Sequence, residues 1–154
     1  MVSVTIVMGS KSDLKVGEKC SGVLKELNIS HEIRVCSAHR TPERLVELVN
    51  GSEAKVFVAI AGVSAALPGA VAALTTRPVI GVPVSGKVNL DSILSIVQMP
   101  PGIPVAAVGL DRGENAGLLA ASIIALSDPG VLSALDGYRE RMRARVIEDD
   151  RSLE

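Results

Sequence analysis

Three short segments hold the side chains best suited to chemistry. The first is Gly9-Ser10-Lys11-Ser12-Asp13. Glycine lets the backbone turn sharply and come close to a ligand. Two hydroxyls at the start of a helix, with its free N–H groups and positive dipole end, suit a phosphate. Asp13 is wrong for phosphate but right for paired ribose hydroxyls. The segment therefore reads as a sugar-phosphate cradle or as an ordinary capped turn, and it matches neither the Walker A pattern nor Gly-x-Gly-x-x-Gly. The second is Ser37-Ala38-His39-Arg40-Thr41-Pro42. Arg40 offers a planar donor fork that matches phosphate, and histidine is the side chain that moves protons near neutrality. A lone histidine is more often structural, and His31, at a strand start, is read that way. His39 lies beside a phosphate-type arginine, and we expect it to handle substrate or protons. The third is Ala61-Gly62-Val63-Ser64-Ala65-Ala66-Leu67-Pro68-Gly69. It is small and neutral, suited either to tight packing or to closing over a ligand with backbone groups. Ala61, Gly62, Ser64 and Leu67 are its expected substrate contacts.

Other polar residues are read as structural. Cys36 and His39 invite a nucleophile or a metal, but Cys36 ends a strand and is expected to face the core. Two His and two Cys without zinc spacing give no metal site. Lys87 is the only charge from Pro83 to Asn89. Arg139, Arg141, Arg143 and Arg145 alternate, so they do not share one helix face and read as a solvated run.

The elements that must position these segments alternate. Apolar runs predict strands at Val2–Met8, His31–Val35, Val56–Ala61, Val79–Val82 and Pro104–Val108. Between them, helices are predicted from a Ser12 or Asp13 cap to Leu27, from a Thr41 cap with Pro42 in the first turn to Gly51, from Pro68 to Thr75, and from Asp91 to Gln98. Two more are predicted over Glu114–Leu126 and from Asp128-Pro129 to Ile147, with frayed residues beyond. This is an α/β pattern: a parallel sheet of about five strands with helices on both faces and a C-terminal helix. Such sheets bind ligands outside the carboxyl ends of their strands, where all three segments fall.

Composition narrows the partners. The chain has 154 residues, 16 Lys plus Arg against 17 Asp plus Glu, one Phe, one Tyr and no Trp. The length predicts a single domain over 1–154. The core must be aliphatic. No basic surplus or aromatic platform favours nucleic acid. Val56–Thr76 carries no charge, but Gly62, Pro68 and Gly69 split it into strand, turn and helix, so no membrane partner is expected. Met1–Met8 has no signal-peptide pattern, which predicts a cytoplasmic protein. Helices from Pro68 and Glu114 are apolar nearly all round, which predicts a homo-oligomer that covers them.

In order along the chain come Met8-Gly9-Ser10-Lys11-Ser12-Asp13, Ser37-Ala38-His39-Arg40-Thr41-Pro42, Pro78-Val79-Ile80-Gly81-Val82-Pro83-Val84, Asp91-Ser92-Ile93-Leu94-Ser95-Ile96-Val97-Gln98-Met99-Pro100 and Asn115-Ala116-Gly117-Leu118-Leu119-Ala120. Together, over residues 3–145, they resemble the N5-carboxyaminoimidazole ribonucleotide mutases of purine biosynthesis. The resemblance implies a three-layer flavodoxin-like fold, a homo-octamer, and conversion of N5-carboxyaminoimidazole ribonucleotide to 4-carboxy-5-aminoimidazole ribonucleotide without metal or cofactor. By position, it implies Ser10 and Arg40 on the phosphate, Asp13 on the ribose, Ser12 and Ser37 lining the site, and His39 as proton shuttle. The third loop departs from the Ala-Gly-Gly-x-Ala-His-Leu-Pro-Gly of those mutases: Val63 replaces a Gly and Ala66 the His. Ser64 and Ala66 resemble the related carboxylases that use free carbon dioxide, whereas Arg40 and Gln98-Met99-Pro100 resemble the mutases. The carboxyl donor is thus left open between the two. A carboxylase of a nicotinate nucleotide shares the Ala-Leu-Pro loop but lacks the Ser-Ala-His-Arg-Thr-Pro run. A non-catalytic nucleotide-phosphate binding module would share the Gly9–Asp13 cradle but gives no reason for His39.

Overall fold

Strand-forming runs that carry apolar residues on both faces, rather than at alternate positions only, must be covered on both sides. In the computed structural model, which describes residues 1–153, three strands meet that condition. β1 (Val4–Met8), β3 (Val56–Ala61) and β4 (Val79–Pro83) are buried at every residue. They form the centre of a five-stranded parallel sheet of order β2-β1-β3-β4-β5, with β2 (His31–Val35) and β5 (Ala106–Ala107) at the edges. Val4 pairs with both His31 and Val56, Phe57 with Val79, and Ile80 with Ala106. This is the strand order of flavodoxin-like folds.

Alternate side chains serve opposite layers. Val4, Ile6, Met8, Val56, Val58, Ile60, Ile80 and Val82 pack against α1 (Leu14–Glu26), α5 (Gly113–Ala125) and the start of α6 (Pro129–Arg151). Val7, Phe57, Ala59, Ala61 and Val79 face the other way, toward α2 (Pro42–Gly51), α3 (Leu67–Ala73) and α4 (Asn89–Val97). α1 and α5 approach closely because glycines face the contact: a Cβ on Gly113 would lie 2.1 Å from the Val16 carbonyl oxygen. Phe57, the largest side chain of the core, is fully buried, and Arg77 lies over its ring at 4.8 Å. The Arg77 guanidinium also donates to the carbonyls of Val49, Ser52 and Ala54, closing the C-terminal end of α2.

Several boundaries move from the sequence reading. β5 shrinks from Pro104–Val108 to two residues: proline has no N–H to give the ladder, and an edge strand lacks a second neighbour. α4 begins at Asn89 rather than Asp91, its approach closed by Gly86 N–H donating to Asn89 Oδ1 at 2.9 Å. α6 continues to Arg151, past the expected end at Ile147. Asn28 ends α1 with φ +55, the left-handed conformation in which asparagine is tolerated. The uncharged stretch from Val56 becomes β3, a turn and α3, and no described helix is long and apolar enough to cross a membrane.

Candidate active site

The chain leaves β1 for β2 on one side and then crosses back to β3 on the other. Such a reversal opens a crevice at the carboxyl ends of the two central strands. The segments after β1, β2, β3 and β4 meet there around a cleft of about 510 Å³, a volume within the usual range for small-molecule sites. Every expected site residue lines it: Gly9, Ser10, Ser12, Asp13, Ser37, His39, Arg40, Ala61, Gly62, Ser64 and Leu67. Ala38, Val63, Ala66, Val84 and Ser85 complete the lining. Ser85 carries the hydroxyl that sequence reasoning passed over. The signal was available, since the residue follows a buried central strand, but only Lys87 stood out in that loop.

The first wall is polar. Gly9 extends the sheet by donating to the Ile60 carbonyl at 3.3 Å. Ser10 caps a single 3-10 turn, Lys11–Asp13, by accepting the Ser12 N–H at 3.3 Å, and Asp13 then takes the expected N-cap position of α1, without a side-chain capping bond. The Ser12 hydroxyl donates to Ser10 Oγ at 3.1 Å. Asp13 is only 8% exposed. Burial pushes its carboxyl pKa upward, with a hydrogen bond from the Ser10 backbone pulling the other way.

Arg40 joins the first wall to the second. Its Nη2 donates to the Gly9 carbonyl at 3.0 Å, and its Nε to Ser37 Oγ at 3.3 Å. Ser37 Oγ also accepts the Arg40 N–H, and Thr41 Oγ1 accepts the Ser37 N–H at 3.0 Å, so the Ser37–Thr41 turn closes on itself. Guanidinium has five N–H donors. Two are used here, which leaves three for an anion. His39, next to Arg40, is exposed at the cleft. Cys36 is buried beneath the turn, its Sγ 3.6 Å from Thr41 Oγ1, and does not line this cleft. Cys20 sits in the α1 core, its thiol pKa pushed up to about 12 by burial and by the nearby Glu114 charge. His31 is held between the Ser21 hydroxyl and the Ile29 carbonyl, both at 2.8 Å, as the structural reading expects.

The opposite wall is small and mostly apolar, from Ala61 through Leu67. Ser64 adopts φ +48, and its N–H donates to Asp91 Oδ2 at 2.8 Å. Ser85 is held in the same manner, its N–H donating to Asp111 Oδ1 at 2.9 Å. Partial burial pushes the Asp111 carboxyl pKa up. The Ser85 hydroxyl and N–H, with the Lys19 and Arg112 charges, outweigh this and hold it below the ordinary value. Hydroxyls, a guanidinium, a sunken carboxylate and an imidazole on one side thus face a wall of small side chains on the other. That arrangement suits a phosphorylated sugar bearing a compact reacting group.

Residues 3–145, which contain the whole sheet and every cleft residue, match the family model described as AIR carboxylase. The chain is 56% identical over 151 residues to the N5-carboxyaminoimidazole ribonucleotide mutase of Methanocaldococcus jannaschii, covering 97% of this chain and 96% of that one. It is 51% identical over 148 residues to the protein of the same name from Pyrococcus abyssi, covering 93% and 85%. Among solved structures, Treponema denticola PurE superposes with a TM-score of 0.91 at 34% identity, over 100% of this chain and 99% of that one. A match spanning sheet and cleft together places the chain in the AIR carboxylase family.

Proposed function

We propose that this protein is an N5-carboxyaminoimidazole ribonucleotide mutase. It converts that carbamate to 4-carboxy-5-aminoimidazole ribonucleotide in purine biosynthesis. The observation that carries the reading is His39 beside Arg40 on one cleft, with Asp13 sunk in its first wall, in a chain 56% identical to a protein of that name. The free donors of Arg40 and the Ser10 hydroxyl hold the phosphate, Asp13 accepts from the ribose hydroxyls, and Ser12, Ser37 and the backbone of Gly9 line the sugar. Ala61, Gly62, Ser64 and Leu67 enclose the base.

The chemistry follows from the substrate. The carbamate N–C bond breaks, its electron pair returns to nitrogen, and His39 as imidazolium protonates that nitrogen as carbon dioxide is released. The exposed aminoimidazole is an electron-rich enamine. Its ring carbon attacks the retained carbon dioxide and forms the C–C bond. Neutral His39 then takes the proton from that carbon and is again imidazolium, so no proton is gained or lost overall. One histidine as acid and then base is general acid–base catalysis, and retention of carbon dioxide makes the second step effectively unimolecular. No step calls on a metal or an organic cofactor.

A second reading, direct carboxylation of aminoimidazole ribonucleotide by free carbon dioxide, is favoured by the third loop, where Ala66 lines the cleft and supplies no acid or base. One experiment separates them. Turnover of the carbamate in carbon dioxide-depleted buffer supports the mutase. Turnover of uncarboxylated nucleotide with bicarbonate, and none of the carbamate, supports the carboxylase. Turnover of neither favours a non-catalytic nucleotide-phosphate binding module.

The protein acts in the cytoplasm as a single-domain subunit of a homo-octamer. Exposed apolar side chains support assembly, although they concentrate on α4 (Leu90, Leu94, Val97) and α6 (Met142, Val146, Ile147) rather than on α3 and α5. A monomeric mass by light scattering at micromolar concentration would overturn the assembly.

A further inference from the structure

We propose that Asp91, which lies outside the cleft lining, is a positioning residue that keeps the third loop shut over carbon dioxide during turnover. The inference rests on the mutase reading. Asp91 sits in the first turn of α4. A carboxylate there ordinarily serves the N-terminus of its own helix. Instead its Oδ2 accepts the N–H of Ser64, 27 residues earlier in the chain.

The loop crest needs such a partner. Ser64 is a non-glycine residue at φ +48, a conformation that persists only where the surroundings enforce it. Ser64 is itself exposed and Val63 before it is 80% exposed, so burial anchors the crest only on its far side, at Ala65. The anchor itself is rigid. Ser92, the next residue, is 1% exposed, and its one hydroxyl proton is shared between the Asn89 carbonyl at 3.0 Å and the Val84 carbonyl at 3.2 Å. The first turn of α4 therefore braces two walls of the cleft at once, Val84 through Ser92 and Ser64 through Asp91.

The proposed reaction leaves carbon dioxide unbonded between N–C cleavage and C–C formation. Phosphate and ribose are held on the opposite wall, so loosening the crest lets carbon dioxide out without freeing the nucleotide. The lost step is then recarboxylation: the substrate takes up its proton, carbon dioxide departs, and uncarboxylated aminoimidazole ribonucleotide is released.

The test is the partition of products from the carbamate in carbon dioxide-depleted buffer. For Asp91→Ala, released uncarboxylated nucleotide per carboxylated product rises about tenfold or more, the scale of one charge-assisted hydrogen bond. KM changes by less than about threefold, and the variant stays folded with Tm within a few degrees of the parent. Asp91→Asn keeps an acceptor oxygen without the charge, so its partition falls between the parent and Asp91→Ala, whereas a merely electrostatic role would make the two variants alike. Amide exchange of segment 62–67 is read alongside, without substrate, and quickens most in the Ala variant. Parental partition in a folded Asp91→Ala protein overturns the proposal, as does unchanged exchange. A parent protein that fails to turn over the carbamate overturns the mutase reading instead, and the exchange measurement still decides whether Asp91 holds the loop.

Discussion

Arg40 offers the sharpest test of how the cleft binds, because its guanidinium has two separable tasks. Nη2 and Nε tie the loop after β1 to the turn after β2, through the Gly9 carbonyl and Ser37 Oγ. The three remaining N–H donors are available to the phosphate. Arg40→Ala removes both tasks at once. A charge-assisted hydrogen bond contributes about 1.5–3 kcal/mol net. At about 1.4 kcal/mol per tenfold, losing the phosphate contact weakens binding by roughly 10–150-fold. The lower part of that range is expected, since Arg40 is exposed. Losing the tie costs less, since both its acceptors are neutral, and it affects any ligand of the cleft whether phosphorylated or not. Calorimetric titration of parent and variant with the carboxylated nucleotide and with its dephosphorylated nucleoside completes a double-mutant cycle. The expected coupling between Arg40 and the phosphate is about 1.5–3 kcal/mol, weakening as salt is raised. Equal losses for nucleotide and nucleoside would show that Arg40 only shapes the loops, and the phosphate would have to be placed elsewhere.

His39→Asn keeps a polar side chain but cannot shuttle a proton, so kcat falls by about 10²–10⁴ while nucleotide affinity stays within a few-fold; a parental kcat would exclude the assigned role. Asp13 has its carboxyl pKa raised by burial, so its contribution to stability is fully present below the ordinary carboxylate value and is lost as pH rises through the folded value. Asp13→Asn is therefore more stable than the parent in thermal melts at pH 7, with the gap narrowing toward about pH 4, and it binds the nucleotide about tenfold or more weakly. Asp111 runs the other way. Its carboxyl is held low by Ser85, Lys19 and Arg112 against the opposing effect of burial, so its contribution is present above the ordinary value and lost as pH falls through the folded one. Asp111→Asn should accordingly lower Tm at pH 7 and leave it unchanged at acid pH; an equal shift at both would refute the charge-based account. Gly113→Ala puts a Cβ 2.1 Å from the Val16 oxygen, whereas Gly22→Ala meets nothing within 4 Å. The first should destabilise by about 1–3 kcal/mol or more, several degrees in Tm, and the second should stabilise by roughly 0.5–1 kcal/mol; similar melts for both would refute the close α1–α5 contact.

Much of this was legible in order along the chain. β3 begins and ends where its apolar run does, because a strand buried on both faces has no polar position to blur its limits. The Ser10, Arg40 and His39 segments were visible because loops that follow strands in a parallel sheet share one edge. β5 was overread because Pro104–Val108 has strand-like composition but only one neighbour to pair with. Asp13 stands at the N-cap of α1 as its position in the sequence suggests, but the 3-10 turn before it, capped by Ser10, has no apolar period to announce it.

By itself, then, the sequence determined the alternation of strands and helices, the aliphatic core, and which loops carry phosphate-type and proton-transfer side chains, since these depend on local pattern and residue type. Only the tertiary structure decided what holds those loops in place. Asp91 reaches Ser64 across 27 residues, and Asp111 reaches Ser85 across 26. Asp91 lies in the first turn of α4 and Asp111 in the loop after β5, but nothing in the sequence says which backbone group either one meets. Their partners are backbone N–H groups, which every residue but proline has, so no side-chain type could announce the pairing. The order β2-β1-β3-β4-β5 brings the loops together at the carboxyl edge, and proximity there is a property of the sheet, not of any one segment.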